Sequence, residues 1–230
     1  MKSLRVKIAS GIDVGKKPSW MYMRGNAGPV AGASHKVRPP GREVKSAFTL
    51  NDVKGELGEC QRCALGRVRT NIVFGEGNPG AEIVFVGEAP GGDEDMQGRP
   101  FVGRAGQLLT RIIEAMELKR SDVYICNILK CRPPGNRNPR PEEIAACEPF
   151  LIKQLEAIRP RIICALGTFA ARTLLKTDVP ITVLRGKFHS YHGVRLMPTY
   201  HPAFLLRNPA AKKQVWEDVQ KIMKELRGKS

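Results

Sequence analysis

Nowhere in the 230 residues does an apolar run approach the roughly 18 residues of a membrane-spanning helix, so no span is expected. The opening MKSLRVKIASGIDVGKK has no apolar stretch of useful length, which argues against a secretory leader and for a cytoplasmic setting. Acidic residues are scarce, 22 against 38 Lys and Arg, giving a formal charge of +16. Aromatics make up only 6% of the chain, yet hydrophobics at 42% suffice for an ordinary core. Glycine and proline lack the strict period of a collagen, and no heptad pattern marks a coiled coil.

The excess charge is unevenly placed. Residues 1–45 hold ten Lys or Arg and two acids, about half of the net charge in a fifth of the chain. That segment is rich in Gly and Pro and shows no lasting hydrophobic period, so it reads as a disordered basic arm ahead of a folded domain over 46–230. A strong positive field favours a polyanion, of which nucleic acid is the commonest. A merely solubilising surface is the plainer alternative.

From Thr49 the pattern is that of alternating strands and helices. Thr49 is placed to cap a short helix ending near Gly58. Buried strands are expected at 82–86 (EIVFV), 122–129 (DVYICNIL), 161–166 (RIICAL) and 194–198 (VRLMP). Between and after them lie helices at 104–118, from Pro141 to about Ile158 with a kink or restart at Pro149, at 167–175 and at about 211–226. Short apolar strands alternating with helices define an α/β fold with a parallel sheet covered on both faces. In such sheets ligands bind beyond the carboxyl ends of the strands.

Six cysteines are present. Cys126 and Cys164 fall inside apolar strands and read as small core residues. Cys60 and Cys63 form a C-x2-C pair, Cys131 follows the second strand, and Cys147 lies in the next helix. Four thiolates could close a tetrahedral shell, and all-thiolate ligation suits zinc or an iron–sulfur cluster equally; free thiols are the third possibility.

Three loops carry chemistry-bearing residues. In GEAPGGDEDMQGRPFVG (87–103), Gly87 and its neighbours allow close approach of a ligand, Glu88 sits at the strand end, and Phe101 offers a flat face. Asp93, Glu94 and Asp95 read as solvated acids. Asn127, near the end of the second strand, carries an amide able to read a nucleobase edge, although a lone Asn is commonly satisfied by backbone. The loop after it, KCRPPGNRNPR, has four basic residues and no acid, placing Arg132 and Arg137 where phosphate contacts are expected. In HPAFLLR (201–207), read as a short loop, His201 could donate to a leaving group, while Leu205 and Leu206 could wedge into a base stack beside Arg207. Taken singly, His201 and the leucines are equally well read as core.

Together, GEAPG followed by GRPFVGRAGQLL, then NILKCRPPGNRNP, RPRIICALG, HPAFLLR and the four cysteines give a chain that resembles the family 4 uracil-DNA glycosylases, the iron–sulfur type of bacteria and archaea. The resemblance covers about residues 50–226. It implies a three-layer α/β/α fold around a four-stranded parallel sheet, and a monomeric prokaryotic enzyme acting on uracil-containing DNA. The implied reaction is hydrolysis of the N-glycosidic bond, leaving an abasic site for base excision repair. It also implies a [4Fe–4S] cluster on Cys60, Cys63, Cys131 and Cys147.

By the same resemblance, Phe101 stacks on the flipped uracil against Gly87, Asn127 bonds its O4/N3 edge, and His201 donates to O2 of the departing anion. Leu205 matches the residue that fills the vacated stack. The better-known enzymes of the superfamily carry Asp at the position matching Ala89, so the water-orienting role falls to Glu88. The 59 residues before Cys60 depart from the family pattern. Three competitors remain: a covalent uracil binder, disfavoured because no basic insertion with a histidine follows Phe101; a non-catalytic metal-stapled nucleic-acid binder; and an electron-transfer protein.

Overall fold

A computed structural model describes residues 48–228. The expectation of a basic arm over 1–45 lies outside the described residues.

In chain order the elements are α1 (Leu50–Leu57), β1 (Glu76–Gly77), β2 (Ile83–Gly87), α2 (Gly92–Gln97), α3 (Arg104–Ala115), β3 (Tyr124–Asn127), α4 (Pro141–Ile158), β4 (Ile162–Leu166), α5 (Gly167–Leu175), α6 (Ile181–Leu184), β5 (His189–Tyr191), β6 (Val194–Thr199), α7 (Pro202–Arg207) and α8 (Lys212–Arg227). Local chemistry accounts for several boundaries. Thr49 and Asp52 form a reciprocal capping box that starts α1. At the start of α4 the Glu143 carboxylate accepts the Arg140 backbone N–H at 2.8 Å. The helix runs through Pro149 to Ile158 without the restart expected from sequence. Pro149 and Ala145 are both exposed, so water can serve the carbonyl that the proline leaves without a donor.

The strands form one six-stranded sheet in the order β1-β3-β2-β4-β6-β5. The expected four parallel strands are its centre: β3, β2, β4 and β6 pair in parallel. The two edges, β1 and β5, are short antiparallel additions that make the sheet mixed. Neither shows in sequence, because a strand of two or three residues has too little length for an alternating pattern.

Alternation along the buried strands sorts the core into two layers. Ile83, Phe85, Ile125, Ile162, Cys164 and Met197 face α3 and α8, through Leu109, Ile113, Val219 and Ile222. Val84, Val86, Cys126, Ile163, Ala165 and Leu196 face the opposite way, onto Leu151, Leu155, Ala170 and Leu174 of α4 and α5. Each strand residue is thus covered from one side or the other, which is why the strands read as unbroken apolar runs. Cys126 and Cys164 are fully buried core residues, on opposite faces. After β3 the chain crosses back past β2 to build β4 on its other side, so the switch point of the sheet lies at the carboxyl end of β2.

Candidate active site

The ends of β2, β3, β4 and β6 open onto a cleft of about 920 Å³ whose walls include Glu88, Phe101, Asn127, Gly167, His201 and Arg207. Its position at the switch point is the one that doubly wound sheets use for ligands.

Gly87 ends β2 directly opposite Asn127, which ends β3. A Cβ on Gly87 would lie 2.3 Å from Asn127 Oδ1 and 2.6 Å from Phe101 Cζ. Only glycine lets amide and ring close in on the same spot. Asn127 is 1% exposed, and both its amide nitrogen and its amide oxygen lack a hydrogen-bond partner. A buried amide with donor and acceptor both unmet costs on the order of 1–3 kcal/mol for each group unless a ligand meets them.

Phe101 is buried and holds a left-handed backbone, φ +52°. For a bulky residue that conformation costs about 1–3 kcal/mol and needs outside support. Arg120 gives it, donating to the carbonyls of Phe101 at 3.1 Å and Pro100 at 2.9 Å. Glu76 of β1 anchors Arg120 and also pairs with Arg99. Gly106 leaves room for the same turn: a Cβ there would lie 1.8 Å from the Phe101 carbonyl oxygen. Glu94 secures the other side of the loop by accepting the N–H groups of Gly91, Val102 and Gly103 at 3.1, 2.9 and 2.9 Å. Asp95 is buried and accepts from the Thr70 and Asn71 N–H groups. Of the three acids expected in solvent, only Asp93 is exposed.

His201 lies 5.6 Å from Phe101, ring centroid to centroid, with the planes tilted by 31°. HPAFLLR is a short helix rather than a loop, and His201 is its N-cap: Nδ1 accepts the Ala203 N–H at 3.1 Å. That bond makes Nδ1 the acceptor and leaves the proton on Nε2. Burial, reinforced by the nearby Arg207 charge, pushes the imidazole pKa down to about 4. The ring is therefore neutral at ordinary pH, with one N–H left to give. Gly167, at φ +90°, makes room behind it, since a Cβ there would sit 2.9 Å from the His201 Cβ.

Glu88 is half-buried in the cleft, and burial pushes its carboxyl pKa up. No hydrogen bond or ion pair engages that carboxylate among the described residues. Its main chain is fixed, because its carbonyl accepts the Leu129 N–H at 3.0 Å.

Of the residues expected to meet DNA, Arg207 is exposed and lines the cleft. Arg137 also lines it, but pairs with Glu143 at 2.9 Å. Arg132 packs over Gly92 and donates to Asn136 Oδ1 at 2.8 Å. Leu205 must be corrected. It is wholly buried, in the core layer with Phe101, Leu109 and Val215, so it does not project into a base stack. Helical winding of 202–207 turns it inward, where a loop would expose it. Thr168, Phe169, Ile181 and Thr182 also line the cleft and were missed from sequence. The sole local signal for them was Gly167 at a strand end.

The four loop-associated cysteines come together elsewhere. Cys60, Cys63, Cys131 and Cys147 border one small hollow with Leu57, Ile72 and Lys130. Among the described residues no set of three or more His, Cys, Asp or Glu is gathered tightly enough for a single metal ion. Four cysteines around one hollow are a donor set that suits an iron–sulfur cluster or a zinc ion. N–H groups point at the sulfurs: Arg62 at 3.3 Å from Cys60, Arg69 at 3.7 Å from Cys131, and the Lys130 backbone at 3.3 Å from Cys147. Burial raises the Cys131 thiol to about 11 and also raises Cys147, so thiolates there need a metal to hold them.

The fold and cleft are those of a base-excising glycosylase, and the comparisons agree: the model of the uracil DNA glycosylase superfamily matches residues 74–220, and the chain belongs to that superfamily. Within it, the similarity is to the type-4 group. A type-4 uracil-DNA glycosylase of Saccharolobus solfataricus is 47% identical over 78% of this chain and 88% of its own. The type-4 enzyme of Archaeoglobus fulgidus is 47% identical over 76% and 92%, and that of Thermotoga maritima 49% over 74% and 90%.

Proposed function

We propose that this chain removes uracil from DNA by hydrolysing its N-glycosidic bond, leaving an abasic site. The observation that carries this reading is the buried, unpartnered amide of Asn127, set between Gly87 and Phe101 and within the same cleft as a neutral His201.

A base inside a duplex is out of reach, so it must swing out at a cost of a few kcal/mol, least where it is mispaired. Phe101 gives the extruded ring a flat surface. Asn127 meets O4 and N3–H of uracil with a donor and an acceptor. Cytosine offers the reverse pattern and leaves the amide mispaired, at about 1–3 kcal/mol per lost bond. As the glycosidic bond breaks, negative charge gathers on uracil O2 and positive charge on the sugar. His201 Nε2–H donates to that oxygen, and a neutral donor suffices where it is preorganised and shielded from water. Glu88, its carboxylate unengaged, orients the water and faces the sugar cation. Arg207 is placed for a phosphate. Leu205 stays in the core, so the insertion role is not carried by it.

Cys60, Cys63, Cys131 and Cys147 hold a [4Fe–4S] cluster in this reading. When bound, the cluster supplies a structural staple that ties the segment after α1 to the β3 loop and to α4. No step of the hydrolysis uses it.

Incubation with a uracil-containing oligonucleotide, followed by alkali, tests the reading. Strand scission at the uracil is expected. Intact strands would refute it, and an SDS-resistant adduct would favour a covalent binder instead. In Glu88→Gln, turnover should be largely lost while binding of uracil-DNA survives; unchanged single-turnover cleavage would remove Glu88 from its role.

A further inference from the structure

Lys130 lies between the cysteine hollow and the base cleft. At 1% exposure it is among the largest wholly buried side chains of the described residues. Its ammonium donates to the backbone carbonyl of Asn127 at 2.7 Å and to Gln154 Oε1 at 2.6 Å. Both acceptors are neutral, and no carboxylate pairs with it among the described residues. A buried cation without an anion is costly, several kcal/mol after relaxation, and such a group calls for a countercharge.

The countercharge is at hand on the other side. Lys130 borders the hollow that the four cysteines share. Its backbone N–H donates to Cys147 Sγ at 3.3 Å, and Cys131 is the next residue in the chain. One residue thus reaches both places, its main chain at the hollow and its ammonium on the Asn127 carbonyl. A [4Fe–4S] core on four thiolates carries net negative charge. We infer that Lys130 is a positioning residue joining the two sites: its ammonium offsets the charge of the cluster and, held there, grips the main chain of Asn127 so that the base-reading amide is fixed. This inference rests on the reading of the four cysteines as cluster ligands.

Gln154 completes the arrangement from α4. Its amide nitrogen donates to the Phe74 carbonyl at 2.9 Å and to the Tyr124 hydroxyl at 3.3 Å, which orients its oxygen toward Lys130. The ammonium is therefore held at a set point, between Gln154 and the carbonyl of Asn127.

The test compares the cluster-loaded full chain with Lys130→Gln and Lys130→Met. Gln keeps a donor for the Asn127 carbonyl and removes the charge; Met removes both. Iron and sulfide content, the midpoint potential of the cluster, and kcat and KM on a uracil oligonucleotide are measured. Removing a cation beside the cluster should move the potential to more negative values in both variants. KM should rise in Lys130→Met and be largely restored in Lys130→Gln. A purely space-filling lysine would leave the potential where it was. If neither variant accumulates as folded protein, Gln154→Glu carries the test, since a carboxylate on the ammonium should move the potential in the same direction. An unmoved potential in a brown, fully loaded variant overturns the inference alone. A colourless or zinc-containing wild type overturns the cluster reading and, with it, this inference.

Discussion

The side chain of Asn127 occupies the space that a methyl group on Gly87 would need: a Cβ there would lie 2.3 Å from Asn127 Oδ1. Phe101 leans on the same spot, its Cζ 2.6 Å from where that Cβ would lie. In Gly87→Ala one of the three groups must move. Crowding of this kind costs about 1–3 kcal/mol in stability. A larger loss is expected in catalysis, on the order of 10²-fold in kcat/KM, since a small displacement of the base is enough to spoil alignment. Thermal melts beside single-turnover uracil release would check it. A variant as active as wild type would show that Asn127 and Phe101 do not grip one ring.

His201 holds two posts, as N-cap of α7 and as donor into the cleft. His201→Asn separates them, because the Asn side-chain oxygen can still cap Ala203. Stability should change by less than the ~1 kcal/mol of a lost cap. The rate constant of the chemical step should fall about 10²- to 10³-fold, the loss expected for removing a donor to a developing anion. Equal rates for the two proteins in single-turnover assays would remove His201 from the mechanism.

The pH behaviour follows from two shifts of opposite sense. His201 stays neutral down to about pH 4, so no activity change near the ordinary histidine value of 6.5 is expected. The Glu88 carboxyl is pushed up by burial, so activity should fall in acid as Glu88 takes its proton, above the usual 4.5 for a glutamate. That acid limb should vanish in what activity Glu88→Gln retains. Stability has its own sign. Between about pH 4 and 6.5 the unfolded chain binds a proton at His201 that the folded chain refuses, so stability rises with pH across that window and is lost as pH falls through it. Urea melts at both ends of the window, with His201→Asn as control, measure the contribution; the variant should show the smaller dependence.

Arg120 holds the Phe101 platform from behind, through two main-chain carbonyls and from its anchor on Glu76. In Arg120→Met the left-handed turn at Phe101 loses that support. KM for a uracil oligonucleotide should rise, by about tenfold if the lost hydrogen bonds to a charged group are worth their usual ~1.5–3 kcal/mol and only part of that reaches the base. Arg120→Lys should recover part of the loss. A KM unchanged in both would mean that Phe101 keeps its place without the arginine.

Much of this was legible from residue order because long buried strands and amphipathic helices leave strong periods. The four parallel strands, α3 and α8 lie close to where their hydrophobic patterns put them. Gly87, Asn127 and His201 sit at or just beyond a strand end, where a parallel sheet builds its sites, whereas Phe101 lies in the loop before α3; the roles of all four came from the resemblance, since Asn127 and His201 taken singly read as ordinary. The misses have physical causes. Glu94 and Asp95 look like solvent acids until the chain folds and brings backbone N–H groups from Thr70, Asn71, Val102 and Gly103 onto them. Leu205 has the same composition around it whether 202–207 is loop or helix, yet the helix buries it. Arg120 and Glu76 act over separations in the chain that no local pattern records.

The central claim is that one cleft binds uracil, checks its edge and takes up the charge with which it leaves. Single-turnover release of base from otherwise identical oligonucleotides containing U·G, U·A, C·G or T·G pairs tests it most directly, with wild type and Asn127→Asp side by side. The account predicts rapid uracil release by wild type, none of cytosine or thymine, and a collapse of uracil release when the amide of Asn127 becomes a carboxylate. Uracil release by Asn127→Asp at the wild-type rate, or no release of uracil by the wild type, would contradict it.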